Sequence, residues 1–172
     1  MDCPTTFLIG AGDLPCECIK SSAIFLNESW GGTLLNYSCD DSPLLILRGL
    51  PETETFVSLT GDAATFHSEG SSWMEALADW RHPIILISKP SIKGKIPGTA
   101  YSYVSLCRYL GVPLLGIAQL GGVWDRRSRI ADGLPWCGLI PLNNSNEQSD
   151  HHQAINDSTE LVTILKSRFY SI

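Results

Sequence analysis

Short unbroken apolar runs, each set off by glycine, proline or polar turn residues, recur along this chain and predict strands buried on both faces. Thr6-Phe-Leu-Ile-Gly10 is one, ending in Gly-Ala-Gly; Pro83-Ile-Ile-Leu-Ile-Ser88 is another, and Gly111-Val-Pro-Leu-Leu-Gly-Ile-Ala118 a third. Thr33-Leu-Leu-Asn-Tyr37, Pro43-Leu-Leu-Ile-Leu47 and Gly133-Leu-Pro-Trp-Cys-Gly-Leu-Ile-Pro141 supply further short strands. Between Gly49 and Gly70 the sequence turns polar and turn-prone; Phe56-Val-Ser-Leu59 could form a short strand there, but the region reads as irregular.

Helical spacing fills the gaps. After Pro15, Ile19, Ala23, Ile24 and Leu26 form one apolar face that ends at Trp30-Gly31-Gly32. Ser71-Ser72 caps a helix carrying Trp73, Ala76, Leu77 and Trp80, with Glu75 in the first turn where the helix dipole favours an acid. Gly98-Thr99 opens a crossover helix to Tyr109. The polar stretch 143–157 predicts a mobile loop, and Ser158 to Phe169 a last helix with Leu161, Val162, Leu165 and Phe169 on one face. Strands alternating with helices predict a single α/β domain over residues 1–172, with a mostly parallel sheet and helices on both faces.

Length and charge narrow the function classes. The 172 residues suffice for one substantial core, and 44% hydrophobic with 17% charged residues fits a folded domain. A net charge of −6 gives no general attraction to nucleic acid or to an anionic membrane. The one basic cluster, Arg126-Arg127-Ser-Arg129, reads as a solvated loop or helix end. No stretch reaches the roughly 18–20 apolar residues of a membrane span, and Met-Asp-Cys-Pro-Thr-Thr lacks the pattern of an export signal. The expectation is a cytoplasmic protein in which Cys3, Cys16, Cys18, Cys39, Cys107 and Cys137 stay reduced. The Asn-x-Ser sequons at Asn27, Asn36, Asn143 and Asn156 then carry no sugar.

From Ser72-Trp-Met-Glu-Ala-Leu-Ala-Asp-Trp80 through Pro83 to Ser88, Gly98-Thr99, Leu106, Leu110-Gly-Val-Pro-Leu-Leu-Gly116 and Leu134 to Pro141, order and spacing resemble the C-terminal half of dethiobiotin synthetases. Their cousins, the cobyrinic acid diamide synthases, share this layout. The resemblance implies a P-loop NTPase-like three-layer sandwich, often dimeric. It implies ATP and magnesium as cofactors, and closure of a cyclic urea on a diamine in biotin biosynthesis.

The family's phosphate-binding loop, Gly-x4-Gly-Lys-Thr, belongs after the first strand, where backbone amides and the lysine hold phosphates and the threonine meets magnesium. Laid over Gly10, Gly12 and the residues up to Cys18, it finds Cys16 for the second glycine, Glu17 for the lysine and Cys18 for the threonine. Lys20-Ser21 comes two or three positions late. The family's metal-holding acid at the end of the third strand falls on Leu45-Ile-Leu-Arg48-Gly49, an arginine, or in another register on Glu69-Gly70. The lysine that binds the diamine after the second strand is missing from Tyr37-Ser38-Cys39. Without these charges nothing stabilises a transferring phosphoryl group. The leading reading is therefore a synthetase-like protein that has lost ATP-dependent ligation, needs no cofactor and serves as a binding or partner-contacting module. An active ATP- and magnesium-dependent ligase using Lys20 is the second reading.

Other residues carry weaker signals. Cys16-Glu-Cys18 with Cys39 gives a third reading, a metal or redox protein, if the first turn meets the end of the second strand. His67, His82, His151 and His152 are scattered, with His82 at a helix end where a cationic ring suits the dipole. Thr99 can cap the crossover helix, whose first amides at Gly98 and Thr99 would form an anion site beside Lys93 and Lys95. Trp73, Trp80, Trp124 and Trp136 read as core or rim residues. By resemblance, a nucleotide base would lie near Gln119 and the Pro141-Leu142-Asn143 loop. The partner is an unspecified small molecule or protein, a second copy included, and not nucleic acid or membrane.

Overall fold

The computed structural model describes residues 5–68, 70–142 and 151–171, the side chains of 151–159 excepted. The elements are β1 (Thr6–Gly10), α1 (Cys16–Trp30), β2 (Thr33–Ser38), α2 (Pro43–Arg48), β3 (Thr55–Thr60), α3 (Trp73–Asp79), β4 (Ile84–Ser88), α4 (Gly98–Leu110), β5 (Leu114–Leu120), α5 (Arg126–Ala131), β6 (Trp136–Ile140) and α6 (His151–Phe169). The strands form one six-stranded sheet in the order β2-β3-β1-β4-β5-β6. Every neighbouring pair is parallel. The predicted α/β class and three-layer arrangement are thus what the chain adopts.

Alternation along the strands sorts the side chains onto two faces. Phe7 and Ile9 of β1, Val57 and Leu59 of β3 and Ile84 and Leu86 of β4 pack with Leu47 of α2, Trp73 and Leu77 of α3 and Tyr103 and Val104 of α4. On the other face Leu8, Phe56, Ile85 and Ile87 meet Ile19, Ala23 and Leu26 of α1 and Leu161 and Leu165 of α6. No helix among the described residues is long and apolar enough to cross a membrane.

Three local readings are corrected. Pro43 to Leu47 is not the third strand but the start of α2, with Pro43 and Leu47 buried four residues apart and Leu45 outside. The third strand is β3, the supposedly irregular island, which lies between β2 and β1 with Thr55 to Leu59 all buried. The last helix begins at His151, so of the predicted loop 143–157 the part from 151 on is helical. Residues 143–150 lie outside the described residues. Ser72 does cap α3: its hydroxyl accepts from the Glu75 amide while Glu75 accepts from the Ser72 amide, a reciprocal box.

From β1 the chain runs to one side of the sheet, and from β4 to the other. The crevice outside the carboxyl ends of β1 and β4 is therefore the switch point, where open parallel sheets take ligands.

Candidate functional site

The switch point is walled by the loop after β1 and by the first turn of α4. An ideal Cβ built on Gly12, whose φ is 98°, would lie 3.3 Å from the Thr99 Cβ, so the two predicted sites touch. The loop itself is folded in on its own donors. The Ala11 N–H donates to the Ile87 carbonyl at 2.8 Å and the Gly12 N–H to the Gly10 carbonyl at 3.0 Å. Leu14 packs over Gly10, where an added Cβ would meet its Cγ at 3.3 Å and the Gly12 oxygen at 2.9 Å. The first two amides of the loop are thus engaged, and Leu14 stands against the turn at Gly10.

Strict counting sharpens the mismatch with a phosphate loop. A four-residue spacer after Gly10 puts Pro15, Cys16 and Glu17, not Cys16, Glu17 and Cys18, at the glycine, lysine and threonine positions. Pro15 precedes the first residue of α1 and has no N–H to offer. Asp13 and Glu17 are exposed acids beside the loop. Lys20 is exposed more than a turn into α1, and Ser21 donates to the Cys18 carbonyl at 3.2 Å.

An acid does follow the third strand: Asp62, which sequence reading missed because the strand was assigned to Pro43–Leu47. Gly61-Asp62 follows β3, next to β1 in the sheet. Asp62 Oδ1 accepts both the Tyr103 hydroxyl and the Ala64 N–H. The alternative register is ruled by geometry only in part: Phe66 bridges Ser72 antiparallel, and Glu69 lies outside the described residues.

At the start of α4 the predicted cap is displaced. Pro97 holds the cap position without a side-chain bond, and Thr99 sits inside the first turn. Ser88 ends β4; two residues beyond Leu86, it shares the α4 face of the sheet. The residue is 1% exposed, and its buried hydroxyl has no hydrogen-bond partner among the described residues. Lys93 and Lys95 are exposed in the turn closed by Ser91 N–H to the Lys95 carbonyl at 2.9 Å.

Gln119, expected near a base, is buried with its amide spent. Its Nε2 donates to the carbonyls of Gly121 at 2.8 Å and Val123 at 3.1 Å, and its Oε1 accepts from Arg129 Nε at 2.9 Å. Arg129 is itself buried, which corrects the solvated reading of its cluster; only its neighbours Arg126 and Arg127 are exposed. It also reaches Asp132 at 3.2 Å and the Gly94 carbonyl at 3.0 Å, and its guanidinium lies 5.2 Å from the Trp136 ring centre. Leu142 packs onto Gly121. Pro141 and Leu142 are half-buried, and Asn143 lies outside the described residues.

The cysteines do not converge. β3 separates β2 from β1, so Cys39 is not the neighbour of the Cys16-Glu-Cys18 turn that the metal reading required. Among the described residues no three His, Cys, Asp or Glu side chains are placed to hold a metal ion. Burial first, then Asp62, Asp40 and Asp41, push the Cys39 thiol up to about 12. His82 is half-buried against Phe7 and Trp80, and burial lowers its pKa, so it is not the dipole-paired cation read from the sequence.

No family model and no curated protein matches the sequence. Among solved structures the chain is similar to the MinD cell division protein of Aquifex aeolicus, at 10% identity and a TM-score of 0.49, over 95% of each chain.

Proposed function

We propose that this chain is a P-loop NTPase-like, dethiobiotin synthetase-like protein that does not carry out ATP-dependent ligation and works as a binding or partner-contacting module. One observation carries the reading: the Ala11 and Gly12 amides already serve other carbonyls while Leu14 fills the turn. A triphosphate there would have to break those bonds and expel a half-buried leucine. It would also meet the exposed acids Asp13 and Glu17 beside the loop, with Cys16 where the family has its lysine. The ordered match from Ser72 to Pro141 supports the family; Asp62 supplies an acid after β3, but Pro15 and Cys16 stand at the loop's glycine and lysine positions.

What the switch point still offers is an anion site of smaller scale. The first amides of α4 and the unpartnered Ser88 hydroxyl fit a carboxylate or a single phosphate, with Lys93 and Lys95 nearby in sequence.

Calorimetry with ATP and magnesium tests the first part, and no heat up to millimolar nucleotide is expected. Micromolar binding abolished by Lys20→Ala would establish the active-ligase alternative instead. For the anion site, acetate and inorganic phosphate should shift the Gly98 and Thr99 amide resonances, and Ser88→Ala should weaken that response.

A further inference from the structure

A second hollow lies away from the switch point, at the carboxyl ends of β2 and β3, with a volume of about 290 Å³. Its lining includes Asp40, Asp62, Phe66 and His67. We infer that this hollow receives an arginine side chain of a protein partner, its guanidinium held by Asp62 and Asp40 and stacked on Phe66. The inference rests on the proposed role as a partner-contacting module and gives that role a surface.

The hollow is rich in acceptors. Tyr103 and Ala64 both approach Asp62 through Oδ1, so the carboxylate is fixed while Oδ2 has no donor among the described residues. Asp40 accepts the Ser38 hydroxyl on Oδ2 at 3.2 Å, which leaves its Oδ1. His67 Nε2 lies 3.0 Å from the Cys39 carbonyl. A carbonyl only accepts, so Nε2 carries the hydrogen and Nδ1 is an acceptor in the neutral ring. No lysine or arginine lines the hollow, and neither Asp40 nor Asp62 forms an ion pair among the described residues. Two carboxylates without a cation to match them, beside only the neutral hydroxyls of Thr65 and Ser68 and the Cys39 thiol, suit a planar cation with several N–H groups.

The rim and the location choose between a free small cation and a side chain on a partner. Phe66, which lines the hollow, is 67% exposed. An aromatic face attracts a guanidinium, and an exposed aromatic beside a charged hollow is a feature of protein interfaces. The hollow also sits toward the β2 edge of the sheet rather than in the β1/β4 crevice where these folds take small molecules. The chain's net charge of −6 favours a basic partner.

The test titrates the whole protein with a capped peptide Ala-Leu-Arg-Leu-Ala, with the same peptide bearing glutamine for arginine, and with agmatine as a free guanidinium. Saturable shifts of the His67 ring and Phe66 resonances are expected with the arginine peptide. At least tenfold weaker binding is expected for the glutamine peptide and for agmatine. Asp62→Asn and the surface changes Asp40→Asn and Phe66→Ala should each weaken the arginine peptide severalfold. The surface pair keeps the test valid if Asp62→Asn unfolds. Equal binding of the arginine and glutamine peptides, or none, overturns the inference, and agmatine binding as tightly as the peptide replaces the partner with a small cation. ATP or acetate binding at the switch point bears only on the proposed function, so the two failures are told apart.

Discussion

Tyr103, on the second turn of α4, donates its hydroxyl hydrogen to Asp62 just after β3, tying a helix on one face of the sheet to the loop that follows a central strand. The same hydroxyl oxygen receives the Ala64 N–H at 3.2 Å. Burial first, then the bond to Asp62, raises the Tyr103 pKa, so the phenol remains a donor throughout the working range. Tyr103→Phe should cost about 1.5–3 kcal/mol, the range for a hydrogen bond to a charged group. Urea unfolding at pH 7 measures it. A change under about 0.5 kcal/mol, the scatter of ordinary surface substitutions, would mean that the pair adds little to the fold.

How much of this was readable beforehand depended on whether a segment's neighbours shaped its pattern. Thr6 to Gly10 and the Pro83 to Ser88 run are central strands covered on both faces, so burial wrote an unbroken apolar run into each. Pro43 to Leu47 carries the same kind of run for a different reason: α2 buries Pro43 and Leu47 and leaves Leu44 and Leu45 at the surface. Proline opens a helix as readily as it precedes a strand, and a six-residue helix is too short for its period to show. That single misreading hid Asp62, because the search for an acid after the third strand began in the wrong segment. The burial of Arg129 had no local signal either, since its partners Gln119, Gly94 and Trp136 come from three other parts of the chain.

Arg129 holds the carboxyl end of β5 and the first residue of β6 to the loop before α4. Removing it leaves the Gln119 oxygen, the Gly94 carbonyl and Oδ2 of the partly buried Asp132 without their donor. Arg129→Ala should destabilise by about 3–5 kcal/mol, as breaking one side of a buried ion pair does. Arg129→Lys recovers only part of this, because one ammonium cannot meet three acceptors in the fork geometry of a guanidinium. Thermal melts compare the two variants; equal stability would show that the charge alone matters.

Three thiols set an alkaline limit. Burial is the first cause for each: it raises Cys39 and Cys107 to about 12 and Cys137 to about 11, the last despite the nearby Arg168. A thiol raised in the fold holds its proton where the unfolded chain has lost it, so the unfolded state binds fewer protons above pH 9. Stability is therefore fully present below about pH 9 and falls as pH climbs toward 11–12. Denaturant midpoints between pH 8 and 10.5 should show this decline, and Cys107→Ala should flatten part of it. At pH 8, iodoacetamide should label the exposed Cys16 well before Cys107.

His82 sets the acid side. Its ring lies 5.3 Å from that of Phe7 and stacks 6.4 Å from that of Trp80, and the resulting desolvation lowers its pKa below 6.5 against a smaller opposing effect of the Thr5 backbone. The fold thus prefers the neutral ring. Below pH 6.5 the unfolded chain takes up a proton that the folded one resists, so the stabilisation is complete above that pH and is lost as pH falls through the lowered folded value. Replacing His82 with glutamine removes the titration. Urea midpoints of the parent protein should therefore drop more between pH 7.5 and pH 5 than those of His82→Gln, and parallel pH profiles for the two would place the acid sensitivity elsewhere.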